Sequence, residues 1–318
     1  MTHTLQVFQS VLAFATVVLL CVLMKKWAVV REEHGPLFAN LLTQVALPVV
    51  IITQLATHPL EARQLLLVLA MIVSGTVCMA LSWVAGNLMK LARSKIGALM
   101  LVSSFGSSAF IGYPLIQYAF PNNPEALRDA ILVSEIGVGL PIFTLGVWVA
   151  MHFGEKHGGG SATQWQTLRD YLRSPIFLAV AAGLLISPLH LNPEMPWLAP
   201  FFEAARMVSG ALTILSCLVL GINLNFRTVR GIIPLLLVSA TLQMIVEPYV
   251  ANFQATLYGL SMEQRQVLVI ESAMPSAILG SVFASHYQCA ADTTSALIFI
   301  NILLSLITLP LVFAALCG

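Results

Sequence analysis

The sequence contains very little charge. Only 9% of its 318 residues are Asp, Glu, Lys or Arg, whereas an ordinary soluble domain carries about a quarter. Hydrophobic residues make up 58% of the chain, and their runs recur along its whole length, so no stretch remains for a separate soluble domain. The formal net charge is +1, and no basic patch with interleaved aromatic residues is present, which argues against nucleic-acid binding. We expect a lipid bilayer to surround most of this chain.

Motifs for catalysis, cofactors and metals are also missing. The five cysteines are scattered and lack CxxC spacing, which is typical of small apolar residues in membrane segments. His152 and His157 have no credible third ligand nearby, so we expect no metal site. No nucleophile elbow or phosphate loop is present, which disfavours an enzyme or an ATP-driven pump. The amino terminus lacks a basic region and a cleavage site, so the first apolar run is expected to stay in the mature protein.

Ten apolar runs are long enough to be membrane segments, because a helix needs roughly 20 apolar residues to cross a bilayer. Segment six is the weakest of the ten, since it is short and followed by several prolines. The predicted fold is therefore an all-α polytopic membrane protein with ten transmembrane helices. The predicted segments are Val7–Met24, Leu37–Leu55, Leu65–Leu88, Ala98–Ala119, Ala130–Met151, Ile176–Leu189, Phe201–Leu220, Ile232–Val250, Val267–Tyr287 and Ala296–Leu316.

The positive charges are distributed unevenly between the predicted loops. The even-numbered loops contain four, namely Arg63, Arg128, Arg206 and Arg265. By the positive-inside rule the odd-numbered loops are cytoplasmic, so both termini lie on the non-cytoplasmic side of a bacterial inner membrane. That arrangement requires an even number of segments. The odd-numbered loops contain eleven positive residues: Lys25, Lys26, Arg31, Lys90, Arg93, Lys95, Lys156, Arg169, Arg173, Arg227 and Arg230.

The longest connection divides the ten segments into two fives. It contains Gly158, Gly159 and Gly160, which is typical of a flexible linker. The predicted units are a first five-helix repeat at 1–151, a cytoplasmic linker at 152–175 and a second repeat at 176–318. Because five is odd, the second repeat enters the membrane in the opposite sense, as in inverted-repeat transporters. A shift of 169 residues supports this symmetry, since it aligns Ser103 with Ser272, Ser107 with Ser276, and Gly106 with Pro275.

Segments four and nine are polar and breakable at their centres. Nine residues of helical rise place both centres about 14 Å from one end of their segments, near mid-membrane. A break there frees backbone groups that hydrocarbon cannot satisfy, so it is expected around a cavity or ligand, although simple kinks are the alternative. The amino-terminal end of a helix that resumes after a break attracts an anion, and the carbonyl groups that the break leaves unpaired attract a cation. The predicted substrate-binding residues at the breaks are Phe105, Gly106, Ser107, Ser108, Met274, Pro275 and Ser276.

Two acidic residues, Glu135 and Glu271, lie inside apolar segments, and an acid in the membrane indicates a functional site by default. With Ser134 and Ser103 as further oxygen donors, they are candidates to bind a coupling Na⁺ or H⁺. The alternatives are that each acid is protonated and hydrogen-bonded for structure, or that Glu135 reaches the outer membrane interface. Apart from a coupling Na⁺, no cofactor is predicted.

Segment two carries Asn40 and Gln44 four residues apart, and therefore on one helical face. Gln44 is a candidate for a hydrogen bond to substrate. Helix packing through the same side chain is an equal alternative.

These residues resemble those of the auxin efflux carrier family. The resemblance rests on Asn40 to Pro48, on Gly112-Tyr113-Pro114-Leu115 and on Met274-Pro275-Ser276, and it spans nearly the whole chain. It implies that segments four and nine cross at the substrate site and that the cargo is an organic anion. The family's asparagine in segment four is replaced by Ser107. A more distant resemblance to bile acid sodium symporters, through Glu271, Met274 and Ser276, implies a cation-site role for Glu271.

The predicted function is secondary transport of a small organic anion by alternating access. The cargo is a carboxylate such as malate or malonate, or an auxin-like acid, and transport is coupled to Na⁺ or H⁺. The alternatives are a ligand-sensing membrane receptor and an uncoupled channel. The expected partners are the organic acid and the lipid bilayer, with a homodimer left open and no nucleic acid.

Overall fold

The computed structural model describes residues 2–57, 62–121, 123–155, 161–189, 191–223 and 232–317. Within these ranges every extended regular element is a helix, and the one β-type contact is an isolated bridge between Gly106 and Ser276. The helices of the first part are α1 Thr2–Lys26, α2 Gly35–Leu41, α3 Leu47–Ala56, α4 Ala62–Leu88, α5 Arg93–Ser104, α6 Tyr113–Ala119, α7 Pro124–Leu132 and α8 Val147–Phe153. Those of the second part are α9 Ser161–Leu172, α10 Pro175–Ile186, α11 Ala199–Gly210, α12 Leu212–Asn223, α13 Ile233–Thr241, α14 Glu247–Leu257, α15 Met262–Ser272, α16 Leu279–Tyr287 and α17 Ala291–Cys317.

Wide π-helical turns join several of these helices end to end. Four of the turns end two residues before a proline: 42–46 before Pro48, 108–112 before Pro114, 133–139 before Pro141, and 242–246 before Pro248. A proline ring clashes with the carbonyl four residues earlier and cannot donate a hydrogen bond. A turn closed by i→i+5 bonds relieves that clash. The apolar segments therefore contain prolines without losing their helical course.

Within the part of the chain that the structure describes, seven helical stretches are long and apolar enough to cross a membrane. Three of the ten predicted segments do not meet this criterion: 175–189 is short, and 93–119 and 262–287 are each interrupted. The prediction of an all-helical polytopic membrane protein is confirmed, while the count of ten and the inverted repeat stay predictions. The seven stretches are Leu5–Lys26, Glu32–Ala56, Arg63–Leu88, Pro124–Phe153, Ala199–Ile222, Ile233–Leu257 and Ala291–Cys317.

The burial pattern is that of a protein in lipid, with apolar side chains outside and polar ones inside. One face of α1 presents apolar residues that are more than half exposed, while its opposite face is buried in the core. Fully buried polar side chains include Glu271, Glu247 and Asn301. Such a surface suits hydrocarbon as its solvent. The exposed face of α1 consists of Leu5, Phe8, Leu12 and Leu19, and the buried face of Val7, Val11, Phe14 and Cys21.

The connection between the two halves contains a helix, α9, where we predicted only a flexible linker. Its residue Tyr171 is buried and stacks on Phe143, with ring centroids 4.2 Å apart. This aromatic contact packs the end of α9 against the fifth predicted segment and stabilises its position. The glycines at 158–160 lie outside the described residues, as do Lys156, Arg227 and Arg230 of the charge count.

Candidate functional site

The interrupted stretches of segments four and nine bind each other through their backbones. Helix α5 ends at Ser104, and the chain becomes helical again at Ser108. Helix α15 ends at Ser272, and the chain becomes helical again at Leu279. Gly106 and Ser276 form an antiparallel bridge. The Ser107 amide donates to the Pro275 carbonyl at 2.6 Å, and the Ala277 amide donates to the Phe105 carbonyl at 2.7 Å. Each stretch thus satisfies backbone groups that the other leaves free.

The two hydrogen bonds are related by a local two-fold symmetry that exchanges Gly106 with Ser276. The offset between these two residues is 170, one more than the shift that aligned the halves of the sequence. Gly106 is closely packed, because a Cβ there would lie 3.1 Å from the Cβ of Met274. The breaks predicted at Gly106 and Pro275 are therefore both present, and they meet.

Side-chain hydrogen bonds stabilise the crossing on one side. The Ser276 hydroxyl donates to the Val102 carbonyl at 2.6 Å and accepts from Nδ2 of Asn301 on α17 at 3.0 Å. Ser276, Met274 and Pro275 are buried in protein. Their hydrogen bonds and contacts hold the crossing in place and leave the opposite side of it open.

A cavity of about 520 Å³ lies on that open side, within the range of ~300–1,000 Å³ of ligand pockets. Both resumed helices begin at it, since Ser108 and Ala109 line it from one helix and Ile278 and Leu279 from the other. Helices α2 and α12 and the ends of α9 and α10 enclose the rest. Their lining residues are Ala39, Val219, Asp170, Tyr171, Ser174 and Ile176, together with Thr43 of the π turn that follows α2.

The polarity of the cavity is mixed. Most of its wall is apolar, with Phe110, Ile142, Phe143 and Val282 among the lining residues. No Lys or Arg is among the described residues that line it. The amino-terminal ends of the two resumed helices supply partial positive charge, because their first amides have no partner within their own helix, while Glu135 and Asp170 are the acids that line the cavity. Such an arrangement can hold a carboxylate at the helix ends and an apolar body against the wall.

Glu135 lies at the edge of the cavity and is 5% exposed. Its Oε1 accepts a hydrogen bond from the Tyr113 hydroxyl at 2.7 Å. The neighbouring Ser134 hydroxyl is 2.8 Å from that of Ser108. Glu135, Ser134 and Ser108 therefore form one polar cluster at the edge of the cavity. Tyr113 was missed, because the pattern Gly112-Tyr113-Pro114 was used for the family resemblance and the tyrosine hydroxyl was not considered as a hydrogen-bond donor.

Glu271 lies on the other side of the same turn and is fully buried. Neither of its carboxyl oxygens has a hydrogen-bond partner among the described residues. The carboxyl group packs against Gly112, where a Cβ would be 2.5 Å from Oε1. Since Gly112 and Tyr113 are adjacent, the two acids predicted to act together do approach the same turn. A buried acid without a partner is a candidate for binding a proton or a cation.

Tyr171 covers the cavity from the side of α9. Its hydroxyl donates to the Glu135 carbonyl at 2.9 Å and fits closely against Gly139. Burial, followed by the nearby Glu135 carboxyl, raises the pKa of the Tyr171 phenol, so the phenol is a hydrogen-bond donor at neutral pH. Its role could not be read from a stretch that the sequence presents as a linker.

Other predicted residues lie away from the cavity. Gln44 is exposed, and its neighbour Thr43 lines the cavity instead. Ser103 donates to the Leu99 carbonyl of its own helix. Phe105 lines a second, much smaller cavity beside Glu247. Glu247 is a buried acid that the sequence reasoning missed, although its place inside the eighth apolar run was a sufficient signal.

Comparisons with known proteins agree with this architecture. A family model described as "Membrane transport protein" matches residues 6–313. The chain belongs to the auxin efflux carrier family. An uncharacterized transporter of Methanothermobacter thermautotrophicus is 28% identical over 311 residues, covering 95% of this chain and 96% of the relative. An uncharacterized transporter of Methanocaldococcus jannaschii is 24% identical over 292 residues, covering 90% and 91%. This auxin efflux carrier family member is therefore a multi-pass membrane transport protein.

Proposed function

We propose that this protein is a secondary transporter that carries a small organic anion by alternating access. The observation that carries the proposal is the convergence of two resumed helix ends on one cavity of about 520 Å³. Two helix ends supply positive potential for a carboxylate without a buried Lys or Arg. The apolar wall favours an acid with an apolar body over a short dicarboxylate such as malonate.

The proposed architecture is ten transmembrane segments in two inverted five-helix halves. The position of the two paired residues supports this arrangement, since Gly106 and Ser276 are 170 residues apart and the shift that aligns the two halves of the sequence is 169. One group of helices would then rock against the other around the crossing. The excess of Lys and Arg in the odd-numbered loops supports a location of both termini on the non-cytoplasmic side of the inner membrane. With that orientation the cavity, which Asp170 and Ser174 line, faces the cytoplasm.

We propose Glu271, with Glu135 beside it, as the coupling site for H⁺ or Na⁺. The lack of a partner for the Glu271 carboxyl supports this role, because a buried carboxylate needs a compensating charge. Glu271→Gln is expected to abolish gradient-driven accumulation and to retain exchange of anion across the membrane. Full accumulation by this variant under Na⁺ and H⁺ gradients would refute the coupling role.

The experiment for transport is uptake of radiolabelled indole-3-acetate and malonate by proteoliposomes that contain the purified protein. Ser108→Val places a methyl group at the helix end and is expected to lower uptake about tenfold, equivalent to ~1.4 kcal/mol. Thr16→Val is the matched control, since Thr16 is exposed on α1 and bonds only to its own helix.

Unchanged uptake in the Ser108→Val variant would refute the cavity as the substrate site. Binding without flux would indicate a receptor, and conductance without accumulation would indicate a channel.

A further inference from the structure

A third buried acid lies on the opposite side of the crossing from the cavity. Glu247, at the start of α14, is fully buried. Its Oε2 accepts a hydrogen bond from Nε2 of Gln243 at 2.8 Å. Its Oε1 has no partner among the described residues, and neither does Oε1 of Gln243. Each side chain of this hydrogen-bonded pair thus keeps one buried acceptor oxygen without a donor among the described residues.

A cavity of about 10 Å³, the size of one water molecule, adjoins this pair. Gly75, Ser104 and Phe105 line it together with Glu247. A Cβ placed on Gly75 would be 2.9 Å from the Ser104 carbonyl oxygen and 3.8 Å from Glu247 Oε1. These two oxygens therefore approach the same point, and glycine leaves the room between them.

The described residues that line the small cavity beside Glu247 do not include a cation. On α4 the nearest titratable group is the Cys78 thiol, which donates to the Leu242 carbonyl. On α15, Arg265 is bound to Asn252 and to a carbonyl of α17, and Glu271 packs against Gly112. Among the described residues, no Lys or Arg lines the small cavity. The carboxyl end of α5 at Ser104 adds partial negative charge.

An ionised carboxylate in these surroundings would lack a compensating charge and would face the negative end of a helix. One hydrogen on Oε1 removes the charge and turns an unsatisfied acceptor into a donor. The Ser104 carbonyl, which approaches the same point beside Gly75, is the candidate acceptor for that donor. We propose that Glu247 is a proton-binding site, separate from Glu271 and located behind the crossing.

The consequence for transport rests on the proposed function. Ser104 is the last residue of α5, and the carbonyl of the next residue, Phe105, accepts the Ala277 amide at the crossing. A protonated Glu247 stabilises this end of α5, and loss of the proton introduces repulsion there. Proton exchange at Glu247 would then bias the position of the crossing.

The test of proton binding does not depend on transport. Infrared spectra of the purified full-length protein at neutral pH are compared for wild type, Glu247→Gln and Glu271→Gln. Loss of a protonated-carboxyl C=O band in Glu247→Gln, distinct from any band lost in the control variant, is expected. Gln243→Leu removes the hydrogen-bond partner and is expected to shift the same band without abolishing it. Loss of a carboxylate band in place of the C=O band would overturn the proposal.

Thermal unfolding in Na⁺ and in choline separates a proton from a metal cation. Replacing choline with Na⁺ is expected to change the melting temperature of wild type and Glu247→Gln equally. Stabilisation by Na⁺ that is lost in Glu247→Gln and kept in Glu271→Gln would identify a cation site and overturn the proposal. A wild-type protein that shows the infrared band and carries no anion would refute the proposed transport and leave proton binding intact.

Discussion

Removal of the Tyr171 hydroxyl tests whether α9 closes the cavity. In Tyr171→Phe the aromatic stack on Phe143 is kept and the hydrogen bond to the Glu135 carbonyl is lost. A neutral hydrogen bond contributes about 1 kcal/mol net, which corresponds to a roughly fivefold change in an equilibrium constant. We therefore expect α9 to open about fivefold more often.

Hydrogen–deuterium exchange of the α9 amides measures this opening directly. The expected result is exchange about fivefold faster in Tyr171→Phe, with the amides of α17 unchanged. Trp165→Phe is the control, because Trp165 lies on the same helix and is 70% exposed. Gly139→Ala is a second perturbation, since its methyl group would clash with the Tyr171 hydroxyl. If the α9 amides exchange at the same rate in the wild type, in Tyr171→Phe and in Gly139→Ala, the idea that this contact closes the cavity is refuted.

Three further experiments test close packing, two at the crossing and one at Cys289. Gly112→Ala brings a methyl group against the Glu271 carboxyl and should destabilise the protein by about 1–3 kcal/mol, measured by thermal unfolding. Gly106→Val should lower the melting temperature similarly through the contact with Met274, and an unchanged value would show that the crossing tolerates bulk. Burial and then the Glu155 carboxylate raise the pKa of the Cys289 thiol to about 12, so it should react with maleimide at pH 8 only after unfolding. Rapid labelling of Cys289 in the folded protein would contradict its burial.

The elements of the fold were largely predictable because their causes are local. A run of apolar residues fixes the length of a membrane helix, so α17 extends only five residues before the predicted start at Ala296. The breaks were predictable because Gly106 and Pro275 are poor helix formers surrounded by serines. The pairing of the two breaks depends on contacts between residues 170 positions apart, which no local pattern encodes.

The orientation of side chains was the least predictable property. A π turn inserts one extra residue, which rotates the following face by about 100° relative to an ordinary helix. In the turn at 42–46 the residue that lines the cavity is Thr43, while Gln44 is exposed. An analysis based on 3.6 residues per turn has no means of anticipating this change.

Glu247 was missed for a different reason. The residues before and after it in the chain are mostly apolar, and a single acid there was counted as part of a hydrophobic run. Its significance comes from Gln243 one turn earlier and from Ser104 on another helix. The first of these was visible in the sequence, and the second required the folded structure.

The antiparallel bridge at the crossing is made by peptide groups, which every amino acid except proline can supply in full. Substitutions at Ser107 or Ala277 therefore leave the two hydrogen bonds of the bridge available. The same side chains face the cavity and contact whatever occupies it. One main-chain framework can thus be kept while the chemistry of the wall changes, which provides a simple route for related carriers to diverge in cargo.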